Sequence, residues 1–405
     1  MKIAIIGAGA AGVFCASNLS DNFDVKLFEA QSAPLKKLLL TGGGRCNFTN
    51  INIDKSEPKN FYPRGAGSLR KPLRRFPAQA AIDFFQTHSV DVKIEDEGRA
   101  FPKSDKAKDI ANALLKNVSQ KIKVNSPVAE IRKSEDKFFV KISNADEEIF
   151  DIIILAVGGK CSDSLKYSLQ QLGHHFYPEI PSLYGLCASQ AQNWEGGITL
   201  KDVVLQADFG NKKIKTNGAL LTTHFGITGP AVLKFSAFAA EELYANNFQC
   251  IASANFLPSE NLETISSAFK KARQKESKKL VKNFCPFPLP VSFWQFLLKS
   301  AGIAEDIIYA NLSKELEAKI VNSAVSFRLD IIGKSTSKGE FVSCGGVDCK
   351  DVDFSTMQSK KAENIFFLGE CLNIDAITGG FNLHAAWTTA FVCAEYINKT
   401  FDEQK

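Results

Sequence analysis

Three glycines near the start of the chain have the spacing of a phosphate cradle: Gly7-Ala8-Gly9-Ala10-Ala11-Gly12. In a G-x-G-x-x-G turn the first glycine permits the tight bend. The second lets backbone N–H groups reach a pyrophosphate with no Cβ in the way, and the third lets the following helix lie close to its strand. Ala10 and Ala11 open that helix, where unpaired amides and the helix dipole favour an anion. Glu29, followed by Ala30, supplies an acid about 20 residues on, suited to accept from ribose hydroxyls and to repel a 2′-phosphate. The chemistry implied is binding of an adenine dinucleotide; the alternative is a glycine-rich turn in an ordinary α/β domain.

A second group follows: Lys37, then Thr41-Gly42-Gly43-Gly44-Arg45-Cys46-Asn47. Three successive glycines expose backbone donors able to wrap a phosphate or a polar ring edge, and Arg45 adds a planar cation. The alternative is a flexible surface loop. His224, inside Thr223–Pro230, reads either as a structural histidine or as a substrate-facing proton donor or acceptor, the one weak catalytic candidate. None of the ten cysteines forms a C-x-x-C pair, and the five histidines lack metal-ligand spacing, so no metal is expected. Cys46 is expected to pack or line the pocket without redox chemistry.

These residues need particular elements around them. The apolar run Lys2–Ile6 reads as a buried parallel strand running into the first glycine; a helix through Leu19 and a strand Val25–Phe28 follow. Helices are expected over Ala78–His88 and, capped by Asp105, through Val118. Ile122–Val124, Val128–Arg132, Lys137–Ile142 and Ile152–Ala156 read as strands. From about Pro181 the pattern shifts to short strands at Leu183–Ser189, Val203–Phe209, Lys212–Lys215 and Ala219–Thr222, which suggest a small antiparallel barrel. A helix is expected over Ala231–Leu243, helical spacing over Asn261–Ile320 and a strand over Ser326–Ile332. A last buried strand, Ile365–Leu368, precedes a final helix, Leu383–Ile397.

With 405 residues and 45% apolar content, two or three domains are expected. The net charge of +5 does not by itself argue for nucleic acid, and the basic run Lys275–Lys282 reads as a solvated helix face. Arg64, Arg70, Lys71, Arg74 and Arg75 likewise read as a solvated surface or as a patch for an anion. Met1 leads directly into a core strand, so no signal peptide is expected. No apolar run approaches the ~18 residues of a membrane helix. A cytoplasmic protein with reduced thiols, a small-molecule substrate and no nucleic-acid or membrane partner is expected; the oligomeric state is left open.

The block Gly42-Gly43-Gly44-Arg45-Cys46-Asn47-Phe48-Thr49-Asn50, together with Gly7–Gly12, closely resembles the bacterial NAD(P)/FAD-dependent oxidoreductases also called aminoacetone-oxidase-like or BaiN/HI0933-like flavoproteins. The resemblance continues through Phe101–Ser104, Leu155–Gly159, Thr223–Pro230, Ser343–Val347, Thr356–Lys360 and Gly369–Ala386, weakest around 256 to 320. It implies an α/β fold: a Rossmann-like FAD-binding domain of two-dinucleotide-fold type over 1–182 and 333–405, a β-barrel domain over 183–256 and 321–332, and a helical insert over 257–320. It implies non-covalent FAD, held also by Ala156, Val157 and Gly158, by Gly369 and by Glu370 on the ribityl chain. Gly379, Gly380, Phe381 and Asn382 would turn a helix start toward the flavin. Val128 reads either as an adenine backbone contact or as core packing. Arg45 and the final helix are expected to place positive potential near the flavin. The family's G-D-G element is missing from Lys160–Tyr167. A second G-x-G-x-x-G is absent, so NAD(P)H would bind transiently over the flavin rather than in its own domain. The implied activity is an FAD-dependent oxidoreductase reduced by NAD(P)H or by substrate. The alternatives are an oxygen-using amine oxidase of the aminoacetone type and an FAD-binding RNA-modifying or regulatory protein.

Overall fold

In the computed structural model, which describes residues 1–143, 145–335 and 342–402, the run Lys2–Ile6 is a strand, β1, with Ile3, Ala4 and Ile5 fully buried. Helix α1, Ala10–Asn18, and strand β2, Asp24–Phe28, follow. β1 and β2 are parallel, in register from Lys2↔Asp24 to Ile6↔Phe28. A strand apolar on both faces needs cover on both sides, which parallel crossovers supply.

The sheet has seven strands, in the order 352–353, 358–359, 365–367, 152–155, β1, β2, 122–123. The five from 365–367 to 122–123 are parallel, and the two at the far edge antiparallel. β2 leaves β1 on one side and strand Ile152–Leu155 returns on the other, so the chain reverses its strand order at the carboxyl end of β1. That is the switch point where open α/β sheets leave a crevice for ligands.

The chain divides into two units, Met1–Ile180 with Val342–Lys405, and Pro181–Phe341. In the first, the last helix, Phe381–Phe401, lies along α1: the Phe14 and Trp387 rings are 5.2 Å apart, and Asn398 bonds both Ser20 N–H and Asn18 C=O. In the second, six antiparallel strands close a barrel in the order 186–188, 226–228, 213–222, 199–208, 250–255, 327–334. Helices Leu262–Lys275, Val291–Ser300 and Lys314–Val325 complete this unit. They share one core with the barrel; Phe256 stands 4.8 Å from Phe293, and Phe296 5.4 Å from Phe327.

Four local expectations are corrected. Asp105 caps nothing: its helix is Ala107–Leu115 with Lys106 at the N-cap and no side-chain cap bond. The Asp105 carboxylate instead takes Arg45 and Lys93, charge-assisted bonds stronger than one to a neutral amide. The two strands expected at 212–215 and 219–222 are one, Lys213–Thr222; Gly218, at φ +142°, bends it without ending it. The helix expected over 231–243 breaks at Ala239. The last helix starts two residues before Leu383, at Phe381, because Gly380 at φ +94° turns the chain into it.

Candidate cofactor site

Gly7 leaves β1 at φ +104°, and a Cβ there would lie 2.3 Å from the Ala156 carbonyl oxygen. A Cβ on Gly12 would lie 2.0 Å from the Gly7 oxygen. Gly9 differs: nothing stands within 4 Å of where its Cβ would be. Two of the glycines are therefore demanded by the chain's own crowding, and the third borders open space. Gly9 is the N-cap of α1 and no side chain caps that helix, leaving the amides of Ala10 and Ala11 unclaimed by any cap. Glu29 directly follows β2, one oxygen accepting from Ala8 N–H at 2.9 Å and the other from Gln31 N–H at 2.8 Å. These bonds fix the carboxylate and leave lone pairs for further donors. Ala30 follows, exposed. Ser126 N–H bonds Glu29 O at 2.8 Å, which brings Val128, buried at the head of its strand, to the same end of the sheet.

On the other side of β1, Ala156 N–H bonds Ile6 O at 2.8 Å, and Val157 and Gly158 carry the chain past the switch point. Glu370 comes close here: an added Cβ on Gly158 would be 3.9 Å from its carboxylate. Gly369 lies over Ala11 and donates to Thr389 Oγ1 at 3.0 Å. The Glu370 carboxylate accepts from Lys37 Nζ at 2.7 Å and from Ser343 N–H at 3.1 Å. Lys37 is half exposed, so this pair contributes little stability and can open for a ligand hydroxyl.

Gly42, Gly43 and Gly44 all take positive φ, and the Cβ positions of the last two face open space. Thr41 closes the loop by accepting from Cys46 N–H at 3.0 Å. Cys46 is fully buried, and burial pushes its thiol up to about 12, so it stays protonated and is no nucleophile. Arg45, expected to place positive potential near the flavin, is neutralised by two acids. Its guanidinium lies between Glu95 and Asp105, 4.1 Å over the Phe101 ring, while Lys93 bonds the same two acids. Its charge is spent on two carboxylates that lie 50 and 60 residues further along the chain.

Asn47 carries the clearest vacant valence: its Oδ1 is buried with no hydrogen-bond partner, 2.8 Å from where a Gly380 Cβ would stand. Gly379 and Gly380, at φ +127° and +94°, admit this close approach. No side chain caps the last helix. The side chains of Phe381 and Asn382 are occupied elsewhere: Phe381 stacks on Phe61 at 4.3 Å, and Asn382 bonds both Ala376 N–H and C=O at 2.9 Å.

Several residues that hold this junction are given no role by the sequence reading. Trp387 Nε1 donates to Phe48 O at 2.9 Å, and Asn50 Nδ2 to Gly379 O at 3.0 Å. Buried His384 faces Phe76 O through Nε2 at 3.1 Å and Thr49 Oγ1 through Nδ1 at 2.9 Å. A carbonyl only accepts, so Nε2 carries the proton and the Thr49 hydroxyl donates to Nδ1. Burial holds His384 neutral, pushed down to about 4. Arg64, read from sequence as one of a basic surface group, forms a bidentate pair with fully buried Asp375, both bonds 2.5 Å. His224 belongs to the barrel unit, exposed, its ring beside Gly196.

From residue 1 to 396 the sequence matches the model of the HI0933-like protein Rossmann domain. The chain belongs to the HI0933-like family. This HI0933-like chain is 26% identical over 405 residues to the ribosomal RNA dihydrouridine synthase of Escherichia coli, spanning 96% of each. It is 27% identical over 403 residues to the 3-dehydro-bile acid delta(4,6)-reductase of Clostridium scindens, spanning 96% of this chain and 97% of that one. Among solved structures, the open form of a flavocytochrome c3 fumarate reductase has a TM-score of 0.47 at 10% identity, covering 98% of this chain and 78% of that one. The family match supports a Rossmann-type FAD-binding domain in a family of FAD-dependent oxidoreductases. The residues present fit that cofactor: open space over Gly9, Gly43 and Gly44, two helix starts with no side-chain cap, and the orphaned Asn47 oxygen. Among the described residues no helix is long and apolar enough to cross a membrane.

Proposed function

We propose that this HI0933-like protein reduces a carbon–carbon double bond conjugated to a carbonyl, with NAD(P)H as the transient source of the hydride. One observation carries the reading: two full-length relatives named for different substrates share one bond type. The C5=C6 bond of uracil is conjugated to its C4 carbonyl, and the 4,6-double bonds of a 3-oxo steroid are conjugated to C3. In both, the carbonyl draws electrons from the far end of the conjugated system, which accepts a hydride, and a proton adds at the carbon next to the acceptor. The balance is one conjugated C=C, one NAD(P)H and one proton giving a saturated C–C bond and NAD(P)⁺. FAD, when bound, relays the hydride.

The chain's own residues bind and orient. The amides at the start of α1 and the space over Gly9 take the pyrophosphate, and Glu29 the adenosine ribose. Lys37 would yield a Glu370 oxygen to a ribityl hydroxyl when FAD binds. The Gly42–Asn47 loop and the start of the last helix would hold the flavin, with Asn47 Oδ1 available as an acceptor. The helix dipole there stabilises negative charge on the reduced ring.

Anaerobic stopped-flow mixing of the holoprotein tests this reading. NADH or NADPH should bleach the flavin, and a conjugated enone or free uridine should restore its colour. Bleaching by aminoacetone, with recovery only on admitting oxygen, would overturn the reading in favour of an amine oxidase.

A further inference from the structure

Asn47 Oδ1 is buried and has no hydrogen-bond partner. An orphaned buried oxygen costs free energy that a donor would return, and its surroundings define the donor that is missing. The backbone is bent to put it there. Cys46, immediately before, is a non-glycine residue at φ +61°, a strained conformation held by its N–H on Thr41 O and by its buried side chain. Facing Asn47 is the start of the last helix: a Cβ on Gly380 would meet Thr49 O at 2.6 Å and Asn47 Oδ1 at 2.8 Å. The carbonyls of Gly379 and Gly380 are both engaged, by Asn50 Nδ2 at 3.0 Å and by His384 N–H at 3.0 Å. The amides of the first turn have no capping side chain. An unsatisfied acceptor therefore stands directly beside uncapped donors.

That order of groups has one complement on the ring of an oxidised flavin. N1, N5 and the carbonyls at C2 and C4 only accept; N3–H is the single ring donor, and it lies between the two carbonyls. A C2 carbonyl taken by the helix amides brings N3–H to the neighbouring acceptor. A ribityl hydroxyl also donates, but it has no carbonyl next to it to use the amides.

We propose that Asn47 Oδ1 accepts from the flavin N3–H and so fixes the ring with its pyrimidine edge against the start of the last helix. The proposal rests on the reading of this site as an FAD site and on no step of the reaction. The test uses the full chain, stripped of flavin and reloaded with FAD or with FAD methylated at N3; quenching of flavin fluorescence gives each Kd. Wild type should hold the methylated flavin about tenfold or more weakly, since one hydrogen bond is lost and a methyl presses on a buried oxygen. Asn47→Ala should bind both flavins alike, with FAD weakened. Asn47→Asp, which keeps an acceptor, should retain the wild-type preference. A second readout is the pH at which bound flavin loses its N3 proton, followed by absorbance of the holoprotein. Accepting from N3–H favours the protonated ring, so Asn47→Ala should lower that pH, and Asn47→Asp, with its negative charge, should raise it. Equal affinity of wild type for both flavins overturns the proposal while the FAD reading stands, and a ribityl hydroxyl is then the donor. An N3 titration that Asn47→Ala does not move overturns it as well. Failure of wild type to bind either flavin overturns the FAD reading and the proposal with it. The comparison of the two flavins on wild type needs no variant, so it decides the matter even where Asn47→Ala does not fold.

Discussion

Two helices in the FAD-binding unit begin at glycines and lack side-chain caps, α1 after Gly9 and the last helix after Gly380. They are built by opposite means. The start of α1 is set within one strand–turn–helix segment: Gly7 and Gly12 crowd each other and Ala156, and Glu29 ties the turn to β2. The start of the last helix is held from a distance. Asn50, Thr49 and Phe48 reach it across more than 300 residues of chain, and Arg64 fixes the approach through Asp375. A local device fails at one residue, whereas a distributed one fails by degrees.

The sharpest break in that comparison is within the first turn. Gly9→Val should leave folding intact, since its Cβ meets nothing within 4 Å, and should abolish FAD binding. Gly12→Val should instead unfold the domain, because its Cβ would sit 2.0 Å from the Gly7 oxygen. Circular dichroism melting and flavin absorbance after gel filtration separate the two. A folded Gly9→Val protein that stays yellow would mean that the pyrophosphate does not lie over this turn. Cys46→Ser, in contrast, should keep both the flavin and turnover.

At the second helix start the largest effect belongs to the buried ion pair. Asp375→Ala removes the fully buried carboxylate that accepts both bonds of the Arg64 guanidinium and should cost about 3–5 kcal/mol in urea unfolding. The double change Arg64→Met/Asp375→Leu should recover most of that loss, since the charges cost desolvation before they attract. If the double variant is as unstable as the single, the pair does more than neutralise itself, and its geometry sets the loop before Gly379.

The same contrast explains what the sequence made legible. The first motif is readable because its parts are neighbours: each glycine has a steric reason within a few residues, and the acid directly follows the next strand. The sheet and the barrel are likewise legible from apolar runs and turns. The junction at Gly380 is not, since no local pattern says that Thr49 will meet His384 or that Arg64 will leave a run of surface cations to find Asp375. Arg45 misleads for a related reason. Its neighbours in sequence suggest a ligand, while its partners, Glu95 and Asp105, come from two other segments. Asp105 in turn has the look of a cap only while Arg45 and Lys93 are out of view.

A smaller effect is expected at His384. Its folded-state value of about 4 lies below the ordinary 6.5, so the neutral ring contributes stability that is fully present above about 6.5. That contribution falls away as pH drops toward 4, where the unfolded chain already binds the proton. His384→Gln should destabilise at pH 8 by about 1–3 kcal/mol through its lost bonds. Relative to wild type, the variant should then regain on the order of 3 kcal/mol between pH 6.5 and 4. Urea midpoints for the two proteins at several pH values give the difference directly, and carboxylates that titrate in both cancel. A constant gap across that range would show that the ring is not held neutral.

The smallest effect is expected where the sequence alone points to a large one. Arg45 and Lys93 together face Glu95 and Asp105, so the four charges cancel at the surface. Arg45→Met should leave the flavin reduction potential and FAD affinity unchanged in a spectroelectrochemical titration. Lys37→Met should lower the potential, because it removes a cation beside Glu370 at the cofactor site that no second acid cancels. The two variants each remove one positive charge, so any difference between them reports placement rather than net charge. An equal drop in both would mean that Arg45 leaves its two acids when FAD binds. The Gly42–Asn47 loop would then respond to the cofactor, unlike the turn at Gly9, which is locked by its own backbone before any ligand arrives.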